Sequence, residues 1–212
     1  MSRIEGNVTD LTPRAQKGVA AGGLYTCWMC QTGVSARAAF CHECGTVQAV
    51  RPLSHFERLG FDSRFDIDCA VLDARHAAQV RIFQSRRFAS RGPRQAQLAG
   101  DHLQVLNEAF AVLRDPVRRA EYLLVLLQDG GASIPEIRLD DVDALKGELH
   151  QAADTAAIDR VANEASRGVE TCIRDLSAAF RQHAFTDVWG ILARLSQLEN
   201  VARDARTRRG EV

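Results

Sequence analysis

Four cysteines lie within eighteen positions, as Cys27, Cys30, Cys41 and Cys44, in two Cys-x2-Cys pairs separated by ten residues. Two intervening residues let both sulfurs of a pair face one side of a metal, and two such pairs close a tetrahedron of thiolates. Four thiolates suit zinc, and iron is the competing metal because the ligand set alone does not separate the two. With every position taken by protein no coordination site stays open for chemistry, so the role expected is structural. Two disulfides are the alternative, disfavoured if the chain stays in a reducing compartment. Gly45 follows Cys44 directly, and glycine tolerates the backbone turn that points amides at the sulfurs. His42, inside the second pair, is read as exposed or as a neighbour of the site. Cys69 and Cys172 stand alone in helical patterns and read as small core filler.

The elements around this centre are helical. A short apolar segment holds Leu53, Phe56, Leu59 and Phe61. Asp68 is a candidate N-cap for a helix with Val71, Leu72, His76, Val80 and Phe83 at three-to-four spacing. After a break at Gly92-Pro93, a second long helix from about Gln95 carries Leu98, Leu103, Leu106, Phe110 and Leu113. Asp115-Pro116, a cap followed by proline at the first helical position, starts another through Ala120, Leu123, Leu124 and Leu127. Beyond Gly130-Gly131 come three more stripes: Leu139 to Leu149, Ile158 to Phe180 and Val188 to Val201. The spacing predicts a three-helix bundle. From about Arg203 the chain reads as frayed, and no internal repeat stands out.

The chain has 27 basic and 27 acidic residues, and that balance argues against a whole-chain field for nucleic acid or an anionic membrane. No run approaches the ~20 apolar residues of a membrane span, and the first residues lack the apolar core of a signal peptide. A soluble cytoplasmic protein is expected. No paired carboxylates, nucleophile-base set or glycine-rich phosphate loop is present, and every histidine lacks a motif partner, so no enzyme is expected.

Several segments carry a resemblance. Cys-Trp-Met-Cys at 27–30, Phe-Cys-His-Glu-Cys at 40–44 and Val47-Gln48-Ala49 resemble the zinc-binding extension of eukaryotic HscB/Jac-type J-domain co-chaperones of iron–sulfur cluster assembly. Ser54 to Gly60 resembles that family's opening J-domain segment. Leu106 to Pro116 and Arg119-Ala120-Glu121-Tyr122-Leu123-Leu124 resemble its third and fourth helices, and Ala178 to Gln182 with Leu192 to Leu195 its C-terminal bundle. The resemblance implies an all-α chain in order: a flexible tail at 1–26, a four-Cys zinc module at 27–50, a J-domain-like hairpin at 53–127, a linker at 128–137 and a three-helix bundle at 138–206.

It implies two protein partners. One is a DnaK/HscA-type chaperone, met by the second helix and its loop: Arg75, Arg81, Gln84, Ser85, Arg86 and Arg87. The other is an IscU-type scaffold or other client, met by Leu139, Asp143 and Gln197 of the bundle. This chain departs from the family at both. Gln84, Ser85 and Arg86 stand where J-domains carry His-Pro-Asp, and a base replacing the acid turns attraction for a basic partner residue into repulsion. Asp143 and Gln197 replace apolar positions, and only Leu139 keeps its type. The reading implied is a divergent co-chaperone with structural zinc; a pseudo-J adaptor that binds without stimulating ATP hydrolysis is the alternative.

Overall fold

The computed structural model describes residues 19–20, 24–84, 88–127 and 139–210. They form two compact units, Met1–Gly60 with Asp73–Ala109, and Phe61–Leu72 with Phe110–Val212. Each unit draws on two stretches of the chain.

In the first unit, strands β1 (Val19–Ala20), β2 (Leu24–Thr26) and β3 (Gly33–Ser35) form an antiparallel sheet in the order β1-β2-β3. Tyr25 lies opposite Val34 and Thr26 opposite Gly33. Of the tail expected at 1–26, residues 1–18 and 21–23 lie outside the described residues, and 19–20 and 24–26 are strands. Elements of two and three residues have too few positions to show a period. Because β3 pairs back on β2, the first cysteine pair lies in the turn of a hairpin.

Helix α1 (His55–Arg58) begins with a capping box, in which Glu57 N–H donates to Ser54 Oγ at 3.1 Å and Ser54 N–H to Glu57 Oε2 at 3.0 Å. Helix α2 (Cys69–Phe83) starts on Asp68, whose Oδ1 accepts from Ala70 and Val71 N–H. Gly92, at φ +92°, leads a single 3-10 turn (Ala89–Arg91) into helix α3 (Pro93–Arg114), with proline at the first helical position, where a missing N–H costs nothing. The cap predicted at Asp115 is present: its Oδ1 takes the Val117 and Arg118 amides to open α4 (Pro116–Leu127).

The second unit is built on α5 (Asp140–Gln151), α6 (Thr155–Arg181) and α7 (Phe185–Arg209). Most of the three predicted stripes is buried there, including Val142, Ile158, Val161, Leu176, Val188, Leu195, Leu198 and Val201, with Leu139, Val169 and Ile173 half-buried. Asp154 caps α6 through the Ala157 amide at 2.7 Å. Gly168 lets α6 and α7 approach closely, because a Cβ there would sit 2.8 Å from Leu198 Cδ1. The end expected to fray from Arg203 is instead helical to Arg209. Ala205 is fully buried, Arg208 donates to the carbonyls of Leu149, His150 and Ala152, and Arg209 pairs with Asp159 at 3.3 Å. Charged side chains that hide a periodic Ala202, Ala205 pattern also satisfy the last carbonyls of α5, which have no partners within that helix.

The segment before α2 belongs to this unit. Phe65 stacks on Phe180 with ring centroids 5.2 Å apart, and the Arg119 guanidinium lies 4.8 Å above the Phe65 ring. Asp66 accepts from Ser177 and Arg181 at 3.0 and 2.9 Å.

Candidate functional site

The four predicted cysteines meet, with all four sulfurs within 4.8 Å of one another. Cys27 Sγ lies 3.7 Å from Cys44 Sγ, and Cys30 Sγ lies 3.5 Å from Cys41 Sγ. The edge of a thiolate tetrahedron around a metal with bonds of about 2.3 Å is about 3.8 Å, so the cage fits a single ion.

Two turns of the same construction build the cage. In the first, Gln31 N–H donates to Cys27 O at 3.1 Å and Cys27 N–H to Thr32 O at 2.8 Å. In the second, Gly45 N–H donates to Cys41 O and Cys41 N–H to Thr46 O, both at 2.9 Å. Gln31 and Gly45 both adopt positive φ, +65° and +66°, the left-handed conformation that directs successive amides inward. Gly45 thus does what its position suggested. The cage is a short repeat of Cys-x2-Cys-x-Thr, at 27–32 and 41–46, whose copies of six residues are too short to stand out as an internal repeat. The threonines matter to it: Thr46 Oγ1 lies 3.0 Å from Cys44 Sγ, and Cys30 Sγ 3.4 Å from Thr32 Oγ1.

The sulfurs are electrostatically unequal. Burial raises the Cys27 thiol, but hydrogen bonds from the Cys30 and Met29 amides and from neighbouring thiols outweigh it and draw the pKa down to about 6. The Thr32 side chain, then its backbone, lowers Cys30. At Cys41 the Cys44 amide acts downward, yet burial and the hydrogen bonds that its thiol donates to Cys30 and Cys44 carry the pKa up to about 11. Crowded thiolates repel one another, and a divalent cation among them would remove that repulsion. His42 is exposed beside Glu43, 3.7 Å away, and points to no sulfur contact among the described residues.

A second layer was not read from the sequence. Gln48, fully buried, donates from Nε2 to Cys27 Sγ at 3.4 Å and to Thr46 O at 2.9 Å. The Gln48 backbone carbonyl accepts from His102 Nε2 at 2.9 Å. The His102 ring stacks on Phe83 with centroids 4.6 Å apart, and Phe83 stacks on Phe40 at 5.3 Å. Burial first, then the Arg58 charge, lowers the pKa of His102, which is therefore neutral and buried. Trp28 donates to Val47 O at 2.8 Å and lies under the Arg94 guanidinium. These contacts join positions far apart in sequence, so spacing carries no sign of them.

The residues assigned to a chaperone surface fare differently from one another. Arg75 donates to the carbonyls of Leu59 and Gly60 at the end of α1, and so acts as a C-terminal cap as well as a surface cation. Arg81 and Gln84 are exposed, whereas Ser85, Arg86 and Arg87 lie outside the described residues. For the scaffold surface, Leu139 is the half-buried residue preceding α5, Asp143 is exposed and pairs with Lys146 at 3.2 Å, and Gln197 is half-buried on α7. The lone cysteines are as expected at Cys172, which is buried and accepts from Arg194 at 3.3 Å; Cys69 is half-buried at the start of α2.

Together these features define a class: a metal-knuckle module and a helical hairpin, with a bundle of three long helices. No family model matches the chain. A human protein named "Iron-sulfur cluster co-chaperone protein HscB" is 25% identical over 172 residues, which are 76% of this chain and 72% of that one. Bacterial proteins named "Co-chaperone protein HscB homolog" match over a shorter stretch. The one from Vibrio cholerae is 34% identical over 74 residues, and that from Burkholderia multivorans 40% over 73. The chain spans less than half the length of these bacterial relatives, 43% and 42%. Among solved structures, that of human HscB superposes with a TM-score of 0.78 at 22% identity, over 88% of this chain and 99% of that one. That of HscB from Vibrio cholerae gives 0.66 at 23%, over 75% and 99%. The likeness to HscB-type co-chaperones carried by the motifs thus holds in sequence, and the two solved structures share the fold.

Proposed function

We propose that this chain is a divergent HscB-type co-chaperone of iron–sulfur cluster assembly, not an enzyme, and that its four thiolates hold one structural zinc. The observation that carries the reading is the human relative, whose similarity runs through 76% of this chain and not through the hairpin alone. The partners are a DnaK/HscA-type chaperone, met by α2 and the residues after it (Arg75, Arg81, Gln84, Ser85, Arg86, Arg87), and an IscU-type scaffold or other client at Leu139, Asp143 and Gln197. The compartment is the cytoplasm. Among the described residues no helix is long and apolar enough to cross a membrane.

A second reading, a pseudo-J adaptor, is favoured by one observation: Gln84-Ser85-Arg86 stands where the family carries His-Pro-Asp. The two readings part in a steady-state ATPase assay of DnaK-type chaperones from the same organism, with and without this protein and its scaffold. Stimulation of one dedicated chaperone supports the co-chaperone; binding to all without stimulation of any replaces it with the adaptor. An ordinary DnaK-type chaperone should stay unstimulated, and the triple change Gln84→His, Ser85→Pro, Arg86→Asp should restore stimulation if the hairpin frame is intact.

A further inference from the structure

We propose that the metal centre positions the far end of the helical hairpin: an ion held by the four cysteines orders the last turns of α2 and the first turns of α3 through Phe40, Gln48 and His102. Two chains of contact leave the cage and end on the same side chain. In one, Cys27 Sγ accepts from Gln48, the Gln48 backbone carbonyl accepts from His102 on α3, and the His102 ring stacks on Phe83, the last residue of α2. In the other, Phe40, which precedes the ligand Cys41, stacks on Phe83 and, at 6.3 Å, on Phe88 just beyond it. Phe83 and Phe88 are both 3% exposed.

Phe83 is the one fully buried side chain at this end of α2. Ala74, Ala77, Ala78, Arg81 and Ile82 are exposed, and between Leu72 and Phe83 no residue of α2 is fully buried. A helix gains its stability from packing one face, and toward its C-terminus α2 meets the cysteine module through Phe83 on Phe40, α3 through Phe83 on His102 and His76 on Asn107, and α1 through Gln79 Nε2, which donates to Arg58 O. The partner face of that packing is in turn shaped by the cage. Phe40 bridges to Val47 across the second knuckle and Gln48 N–H donates to Ala39 O at 2.9 Å, so the backbone that presents both contacts is wrapped on the ligands Cys41 and Cys44. A module whose folding energy comes from metal binding therefore passes its order to the helix end packed on it. The chaperone-facing role of α2 is the reading proposed above; the coupling itself needs only the contacts named here.

Hydrogen–deuterium exchange on the full chain tests this, comparing zinc-loaded protein with protein stripped by a chelator. Exchange in residues 76–84 and 93–103 should rise about tenfold on stripping, the size of one aromatic pair's contribution to local opening, while α6 keeps its protection. Phe40→Ala should still bind one metal by native mass spectrometry and yet open the same segments, with chelation adding little more; Phe40→Tyr, which keeps the stacked ring, should restore protection. Stripped protein that opens at 24–50 alone, or Phe40→Ala with a fully protected hairpin end, would overturn the coupling, as would equal loss of protection in α6. Chaperone binding by Phe40→Ala tells the two proposals apart: a hairpin end that opens with binding unchanged upholds the coupling and removes that end from the partner surface.

Discussion

The cysteine module and the bundle of α5, α6 and α7 reach order by opposite means. In the module the core cluster is Cys27, Val34 and Cys41 with Ala38 against it, so two of its three buried members are ligands and little apolar area remains to offset chain entropy. The bundle has helices of 27 and 25 residues and a long series of buried leucines, valines and alanines. On the reading proposed above, one region is stabilised by a few strong bonds to an ion outside the chain, the other by many weak contacts within it. The difference predicts that one responds to a single atom and the other only to lost volume.

The largest effect should come from the ion. Cys41→Ser should abolish metal binding and remove most of the module's folding energy, which for structural zinc sites is about 10–16 kcal/mol at neutral pH. Native mass spectrometry reads the metal, and calorimetry should show the bundle's transition persisting; retention of one ion by the variant would break the comparison. In the bundle, Leu195→Ala should cost about 2–5 kcal/mol for a buried leucine, as a lower urea midpoint with metal content unchanged. Loss of metal from that variant would mean the two regions do not separate energetically as supposed. Gly168→Ala sets a gain in helix propensity against a 2.8 Å approach to Leu198. Because Leu198 is itself buried, overpacking should win by about 1 kcal/mol, and an unchanged or raised midpoint would show that α6 and α7 have slack.

The smallest effect sharpens the comparison from the module's side. Burial depresses the His102 pKa below its ordinary 6.5, so an unfolded chain takes up a proton that the folded chain refuses. That contribution to stability is present above about pH 6.5 and is lost as the pH falls below it. Denaturant midpoints at pH 7 and pH 5 should show the first unit weakening, and His102→Phe should flatten that part of the profile. An unchanged slope in the variant would place the titration elsewhere.

Some of this protein was settled by its sequence alone. The four clustered cysteines, the caps at Asp68 and Asp115, the breaks at Gly92-Pro93 and the stripes of α5 to α7 are legible because the physics is local: a cap or a knuckle closes within about three residues, and a helix face repeats every three to four. What tertiary structure decided lies across long separations. His102 meets Gln48 over 54 positions and looks in sequence like any polar residue of a helix. Arg75 turns out to cap α1, Arg208 to cap α5, and the strands of the module are too short for a period to show. Phe40 reads as one aromatic beside a ligand, and only the packing of α2 and α3 gives it Phe83 and Phe88 to stack on. A side chain's partner across the fold depends on which faces meet, and no spacing within one segment encodes that.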